Sequence, residues 1–263
     1  MNVMAEVRAA KHLGQHFLVD ERVIDQLVSA IDPRAGESLV EIGPGLGALT
    51  LPLLRESGAM SAIEFDRRVL EPLQIKADRI GQLNLINADI LQVDFTSLGL
   101  ASPLKVVGNL PYNLSSPIIF HCLAQRNLIS DMVFMLQKEV VERVCAEPGS
   151  KAYGRLSIMV QLYCACEALF DIAPDAFDPP PKVDSAVVRL TPLAEPAWHV
   201  EDFARFDELV RAAFTQRRKM VRKSLQQYFS AEDFAVLGID PTARPETLSG
   251  EAFARLADYR RTS

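Results

Sequence analysis

The sequence predicts an α/β protein: a parallel sheet with helices on both faces, one antiparallel hairpin at its edge, and a small C-terminal helical domain. Three observations predict it. Short apolar runs alternate with amphipathic stretches through residues 38–146, the pattern of βαβ units. A glycine-rich turn follows the first of these runs directly, where such sheets place ligands. After residue 192 the chain becomes helical and polar to its end.

The elements follow in order. Residues 21–31, ERVIDQLVSAI, carry Val23, Ile24, Leu27, Val28 and Ile31 at helical spacing. The breaker DPRAG then precedes a short apolar strand over 38–42. Further strands are predicted at 60–65, 83–88, 104–109 and 132–137, separated by helices around 47–57, 66–79, 115–126 and 138–146. Residues 154–162 read as a helix. Segments 163–172 and 182–192 read as two strands joined by the turn APDAFDPPPK, and a mixed sheet accepts such a hairpin at its edge. The predicted domains are 1–198 and 199–263.

Composition agrees with a folded domain of ordinary type. Of 263 residues, 49% are hydrophobic and 24% charged, enough to bury a core without disulfides or metal. No apolar run reaches the roughly 18–20 residues of a membrane span, and the start lacks the apolar core of a secretory signal, so a cytoplasmic protein is expected. Cys122, Cys145, Cys164 and Cys166 lie in apolar segments without CxxC or zinc spacing, which predicts reduced thiols and no metal site.

The net charge of −6 conceals a segregation. Between Arg205 and Lys223 stand seven basic residues (Arg205, Arg211, Arg217, Arg218, Lys219, Arg222, Lys223) against Asp207 and Glu208. Polyanions respond to local potential rather than total charge, although such a run also suits a solvated helix face.

The strongest local motif is Glu41-Ile42-Gly43-Pro44-Gly45-Leu46-Gly47, at a strand end. Glycines there let backbone pass close to a ligand. Glu64, at the next strand's end, is placed to accept hydrogen bonds from both ribose hydroxyls of an adenosine cofactor, and Asp89 ends the third strand in Asn87-Ala88-Asp89. A dinucleotide fingerprint would need a third glycine at position 48, which is Ala48, and a P-loop would need Gly-Lys-Ser/Thr, which is absent. The acid two residues before Gly43, the tight glycine run and the acids ending strands two and three resemble class I S-adenosylmethionine methyltransferases. S-adenosylmethionine is therefore the expected cofactor, with Gly43, Gly45, Glu64 and Asp89 in its site.

The fourth strand ends in Asn109-Leu110-Pro111-Tyr112. This resembles the [DNS]-P-P-[YF] motif of methyltransferases acting on exocyclic amines, with Leu110 replacing the first proline. That position contributes a backbone carbonyl, so the replacement changes little. An adenine amine is a poor nucleophile because its lone pair is delocalised into the ring. Acceptors on its two hydrogens, the Asn109 side-chain oxygen and the Leu110 carbonyl, favour tetrahedral nitrogen and aim the lone pair. Tyr112 offers a stacking face for a flipped base.

KHLGQHFL, EIGPGLGALT, IEFD, NAD, VVGNLPYNLSSPI, QKEVVERV, AYGRLS, FDPPPKVDSAVV and FTQRRKMVRKSL follow one another from Lys11 onward. In that order they resemble the small-subunit (16S) ribosomal RNA adenine-N6,N6 dimethyltransferases, the kasugamycin-resistance type. The resemblance implies a Rossmann-like class I fold and S-adenosylmethionine as methyl donor. It implies dimethylation of two adjacent adenines near the 3′ end of small-subunit RNA during ribosome assembly. The implied partner is that RNA or an immature small subunit, with no membrane, and the implied state is a monomer. It further places Gln15-His16-Phe17-Leu18 over the cofactor, with His16 standing where many relatives have Asn. Asn109 joins His16 and Leu18 in the cofactor set. Phe177 becomes a second aromatic wall of the base pocket, and Arg217, Arg218, Lys219 and Arg222 an RNA-facing surface. Two alternatives remain: a large-subunit adenine methyltransferase of the antibiotic-resistance type, and a non-catalytic RNA-binding or assembly protein.

Overall fold

The computed structural model describes residues 16–259. Among them the chain runs β1 (Phe17–Leu18), α1 (Glu21–Ile31), β2 (Ser38–Ile42), α2 (Thr50–Ser57), β3 (Ala59–Glu64), α3 (Arg67–Ala77), β4 (Gln82–Asn87), β5 (Leu104–Asn109) and α4 (Ser115–Ala124). It continues through β6 (Ile129–Gln137), α5 (Lys138–Val144), α6 (Arg155–Gln161), β7 (Cys164–Ile172), β8 (Phe177–Asp178) and β9 (Ser185–Pro192). The helices α7 (Phe203–Thr215), α8 (Val221–Ser224), α9 (Ala231–Val236) and α10 (Gly250–Asp258) complete it. No helix of the described residues is long and apolar enough to cross a membrane.

Seven strands form one sheet in the order β4-β3-β2-β5-β6-β9-β7. The pairs β3–β4, β2–β3, β2–β5 and β5–β6 are parallel, and β9 runs antiparallel to β6. The sheet is thus the mainly parallel sheet with an antiparallel edge that the sequence predicts, with β9 and β7 at that edge. Its central strands bury residues on both faces, as βαβ crossovers require; Val40, Val106, Val107 and Phe134 are fully enclosed. Strand order reverses between β2 and β5, which makes their carboxyl ends the crevice of the sheet.

Local chemistry sets the ends of the elements. Asp20 caps α1 by accepting from Arg22 N and Val23 N, and the helix stops at Asp32, which turns left-handed with φ 47°. Asp66 caps α3 in the same manner and is gripped by the Arg68 guanidinium through two bonds of 2.9 and 2.6 Å. A second sheet, absent from the sequence reading, pairs β1 with β8 in antiparallel register, Phe17 opposite Asp178 and Leu18 opposite Phe177. Two-residue strands carry no periodicity to read.

Contacts divide the chain into two compact units, and the division differs from the predicted domains. Among the described residues, the first holds those up to 141 and 167–192, and the second holds 142–166 with those from 193 onward. Residues 142–166 were placed with the sheet by sequence order, but their side chains pack on the C-terminal helices. Arg155 binds Asp207 at 3.0 and 2.7 Å, and Tyr153 meets Phe214 edge-on with ring centres 6.3 Å apart. Phe206, Leu209, Val210 and Ala213 of α7 are buried in this second unit, with Phe253, Leu256 and Ala257 of α10.

One glycine is dictated by the switch point. A Cβ on Gly108 would lie 2.4 Å from the carbonyl oxygen of Ile42, a backbone atom that cannot swing aside. Gly108→Ala is therefore expected to lower unfolding free energy by about 1–3 kcal/mol. Denaturant midpoints with an unchanged slope would measure it, and a midpoint equal to wild type would show that β2 and β5 are not locked at this contact.

Candidate active site

The carboxyl ends of β2, β3, β4 and β5 border one cavity of about 740 Å3 in the first unit. The sequence-predicted residues His16, Leu18, Gly43, Gly45, Glu64, Asp89, Asn109, Leu110, Pro111 and Tyr112 all line it. This convergence follows from topology, because parallel strands deliver their next loops to the same edge. Gln15 lies outside the described residues.

The glycine turn after β2 approaches β5 closely. Gly43 (φ 71°) and Gly45 (φ 53°) occupy the left-handed region, where a side chain would add strain. Gly43 N donates to Ile63 O at 2.9 Å, which ties the turn to β3. Glu64, itself buried, holds the same corner with both carboxyl oxygens. Gly45 N donates to Oε2 at 3.1 Å and Asp66 N to Oε1 at 2.7 Å. A carboxylate has about four lone-pair sites, so each oxygen keeps capacity for a ligand hydroxyl. Burial raises the Glu64 pKa above the ordinary carboxylate value, while the Asp66 and Gly45 amides pull it down.

Glu41 is the second carboxyl of the site and is 1% exposed. The buried Thr50 hydroxyl faces it as a side-chain hydrogen-bond partner that favours the charged form. Burial, with the Glu64 charge adding to it, pushes Glu41 from 4.5 up to about 8. Asp89 caps the following turn through Leu91 N at 3.0 Å, and Asn87 clamps the β3 end by donating to Glu64 O at 2.8 Å.

At the β5 end, Asn109 Nδ2 donates to the His16 carbonyl at 3.2 Å. That bond orients the amide and assigns Oδ1 to the other side. The next turn closes with Leu114 N donating to Pro111 O at 2.9 Å. Tyr112 is held at both ends of its ring. Its hydroxyl meets Ser185 Oγ at 2.6 Å, and the His16 imidazole stacks on it with centroids 5.7 Å apart and planes inclined by 24°. His16 Nδ1 is bonded in turn to Pro179 O at 2.7 Å.

Two expected site residues stand elsewhere. Phe177 is 3% exposed, joins the apolar core beside Leu18, and is not among the residues of the cavity wall. The pairing of β1 with β8 sets this: Phe177 opposes Leu18 and so braces the segment that carries His16. In the second unit, Arg217 is engaged internally, with Nε on Glu246 at 2.7 Å and a terminal nitrogen on Lys151 O at 2.5 Å. Arg218, Lys219, Arg222 and Lys223 are exposed. Sequence reasoning missed Phe65 and Lys76 of the cavity wall, and also Ser185, whose only signal was its place at the start of a strand.

Comparison with known proteins identifies the family. The profile of the ribosomal RNA adenine dimethylase family matches residues 7–261. A protein of Dichelobacter nodosus named ribosomal RNA small subunit methyltransferase A is 57% identical over 97% of this chain and 97% of its own. A protein of that name from Xanthomonas oryzae pv. oryzae is 54% identical over 98% of each. Among solved structures, a dimethyladenosine transferase from Plasmodium falciparum aligns with TM-score 0.77 at 25% identity, covering 92% of this chain and 96% of that one. The 23S rRNA methyltransferase ErmE aligns with TM-score 0.73 at 26% identity, covering 92% and 98%.

The raised Glu41 pKa makes stability depend on pH. The folded state holds this proton more tightly than the unfolded chain, whose carboxyl titrates at 4.5. Its contribution is therefore full below about pH 4.5 and lost as pH rises toward about 8. Thermal midpoints of the ligand-free protein should fall across this window more steeply than those of Glu41→Gln. Parallel curves for the two proteins would show that Glu41 titrates normally.

Proposed function

The chain belongs to the ribosomal RNA adenine dimethylase family, and from that premise we propose that it transfers methyl groups from S-adenosylmethionine to the N6 amines of two adjacent adenines near the 3′ end of small-subunit ribosomal RNA, during subunit assembly. It is a methyltransferase of the class I fold. The observation that carries the finer reading is the meeting of Glu64, Asp89 and Asn109-Leu110-Pro111-Tyr112 around one cavity.

S-adenosylmethionine, when bound, supplies an electrophilic methyl group. Glu64 would hold its ribose hydroxyls, Asp89 its adenine amine, and the glycine turn its chain, with Glu41 at the same wall. His16 and Leu18 close the cavity from the β1 side. Asn109 Oδ1 and the Leu110 carbonyl accept the two hydrogens of the target amine, drawing nitrogen toward tetrahedral geometry. Pro111 fixes the turn that presents them. Tyr112 stacks the flipped base on the face His16 leaves open. Phe177 contributes indirectly, through the β1 segment it pairs with. In the second unit, Arg218, Lys219 and Arg222 contact RNA phosphates, and Arg217 supports their loop from within. Identity of 57% to a small-subunit enzyme against 26% to ErmE favours small-subunit over large-subunit RNA. A filled set of acceptors at the amine site favours catalysis over an assembly role alone.

Glu64→Gln should weaken S-adenosylmethionine binding by about 1.5–3 kcal/mol, the worth of hydrogen bonds to a charged acceptor. Calorimetry showing undiminished affinity rejects the ribose assignment. Asn109→Ala should spare that binding and cut single-turnover methyl transfer by about 10²–10³. Transfer at the wild-type rate would overturn the amine-site reading.

Reversing Arg218, Lys219 and Arg222 to Glu should abolish binding to small-subunit particles and leave cofactor affinity intact. Wild-type affinity should fall linearly with the logarithm of salt concentration. A flat salt response, or full binding by the triple variant, removes this surface from the substrate interface.

A further inference from the structure

The geometry points to Ser185 as a positioning residue for Tyr112: we propose that the Ser185 hydroxyl fixes the direction in which the ring on which the target base stacks projects into the site. The inference rests on the stacking role given to Tyr112 above.

Four observations carry it. The two hydroxyl oxygens stand 2.6 Å apart, within the short range of O–H···O bonds. Ser185 is 0% exposed, so water does not compete for the bond. Its place is set by register on both sides of β6: Asn109 of β5 pairs with Met135, and Ser185 of β9 pairs with Gln137. Because β9 is antiparallel to β6, its first residue stands at the edge where β5 ends.

A tyrosine has two side-chain torsions, and a backbone anchor alone leaves its ring free to swing. Tyr112 enters from the turn closed by Leu114 N on Pro111 O, and the Ser185 bond fastens the far end of the ring. The two anchors define the ring's long axis, and His16, stacked against one face, sets its plane. A platform held in this manner costs less ordering when a base arrives. Burial raises the Tyr112 pKa above the ordinary phenol value, so the hydroxyl stays protonated near neutral pH and serves as a tether rather than a base.

A double-mutant cycle on the full-length protein tests this, reading methyl transfer to small-subunit RNA and calorimetric binding of S-adenosylmethionine. Ser185→Ala and Tyr112→Phe should each lower kcat/KM roughly three- to tenfold, the worth of one hydrogen bond, with cofactor affinity unchanged. The double variant should be no worse than either single one, because each removes the same bond. Additive losses, or a Ser185→Ala enzyme at the wild-type rate, overturn the proposal. Should Ser185→Ala not fold, Tyr112→Phe decides: wild-type transfer by it overturns the proposal, and a loss matching the range above supports it. Tyr112→Ala separates the premise, since full transfer without any ring would end the stacking role itself, whatever Ser185 does.

Discussion

Close approach of β2 and β5 at the switch point is the constraint on which the site depends. Gly108 has no room for a Cβ against the Ile42 carbonyl, so the two strands lie as near as their backbones permit just before both end. Their next loops, the glycine turn and the Asn109 turn, therefore open side by side. A Cβ on Gly43 would stand 3.7 Å from the Asn109 carbonyl. The loop suited to an extended cofactor and the loop suited to an amine are thus neighbours because the chain reverses there. No side-chain interaction is needed to bring them together.

Electrostatics then differentiates the two carboxyls that crowd this corner. Glu64 receives a backbone amide on each oxygen, which favours its charged form against the cost of burial. Glu41 lies deeper in the apolar sheet, and burial outweighs its hydrogen bond with Thr50, pushing its pKa up to about 8. Both carboxyls are pushed upward by burial, Glu64 against the pull of its two amides. Glu64 stands at the strand end, open to a ligand's hydroxyls, and Glu41 sits where the strand enters the glycine turn. A cationic ligand entering the cavity would favour ionising Glu41 as well.

What the sequence made legible is what strand ends control. Gly43, Gly45, Glu64, Asp89 and Asn109 were found because apolar runs mark strands and ligands gather at their carboxyl ends. The readings that changed concern the direction of side chains and the partners of segments. Phe177 stands within a proline-rich turn, in a motif whose resemblance places it in a pocket, but the β1–β8 pairing turns its ring into the core. Arg217 belongs to a basic run by sequence and to Glu246 by contact. Residues 142–166 follow a sheet strand in the chain yet pack on helices fifty residues later. Each is a long-range pairing, and neither propensity nor spacing encodes the partner.

Ser185 belongs to the same class and shows why the antiparallel hairpin matters to the chemistry. A parallel strand offers its last residue to the catalytic edge, and searches for site residues look there. An antiparallel strand offers its first. The sheet needs β9 to cover β6, and any strand in that position starts beside the Tyr112 turn. A buried phenol hydroxyl requires a partner, and a serine at the opening of β9 is a small residue that supplies one within reach. The β1–β8 ribbon acts on a face of the same ring, since Pro179 follows β8 and its carbonyl holds the His16 imidazole against Tyr112. Segments 163–192 therefore bear on the amine site from two sides without containing the residues proposed to touch the amine. Substitutions that shift the start of β9 or the β8 turn should alter turnover while leaving the cofactor loops as they are.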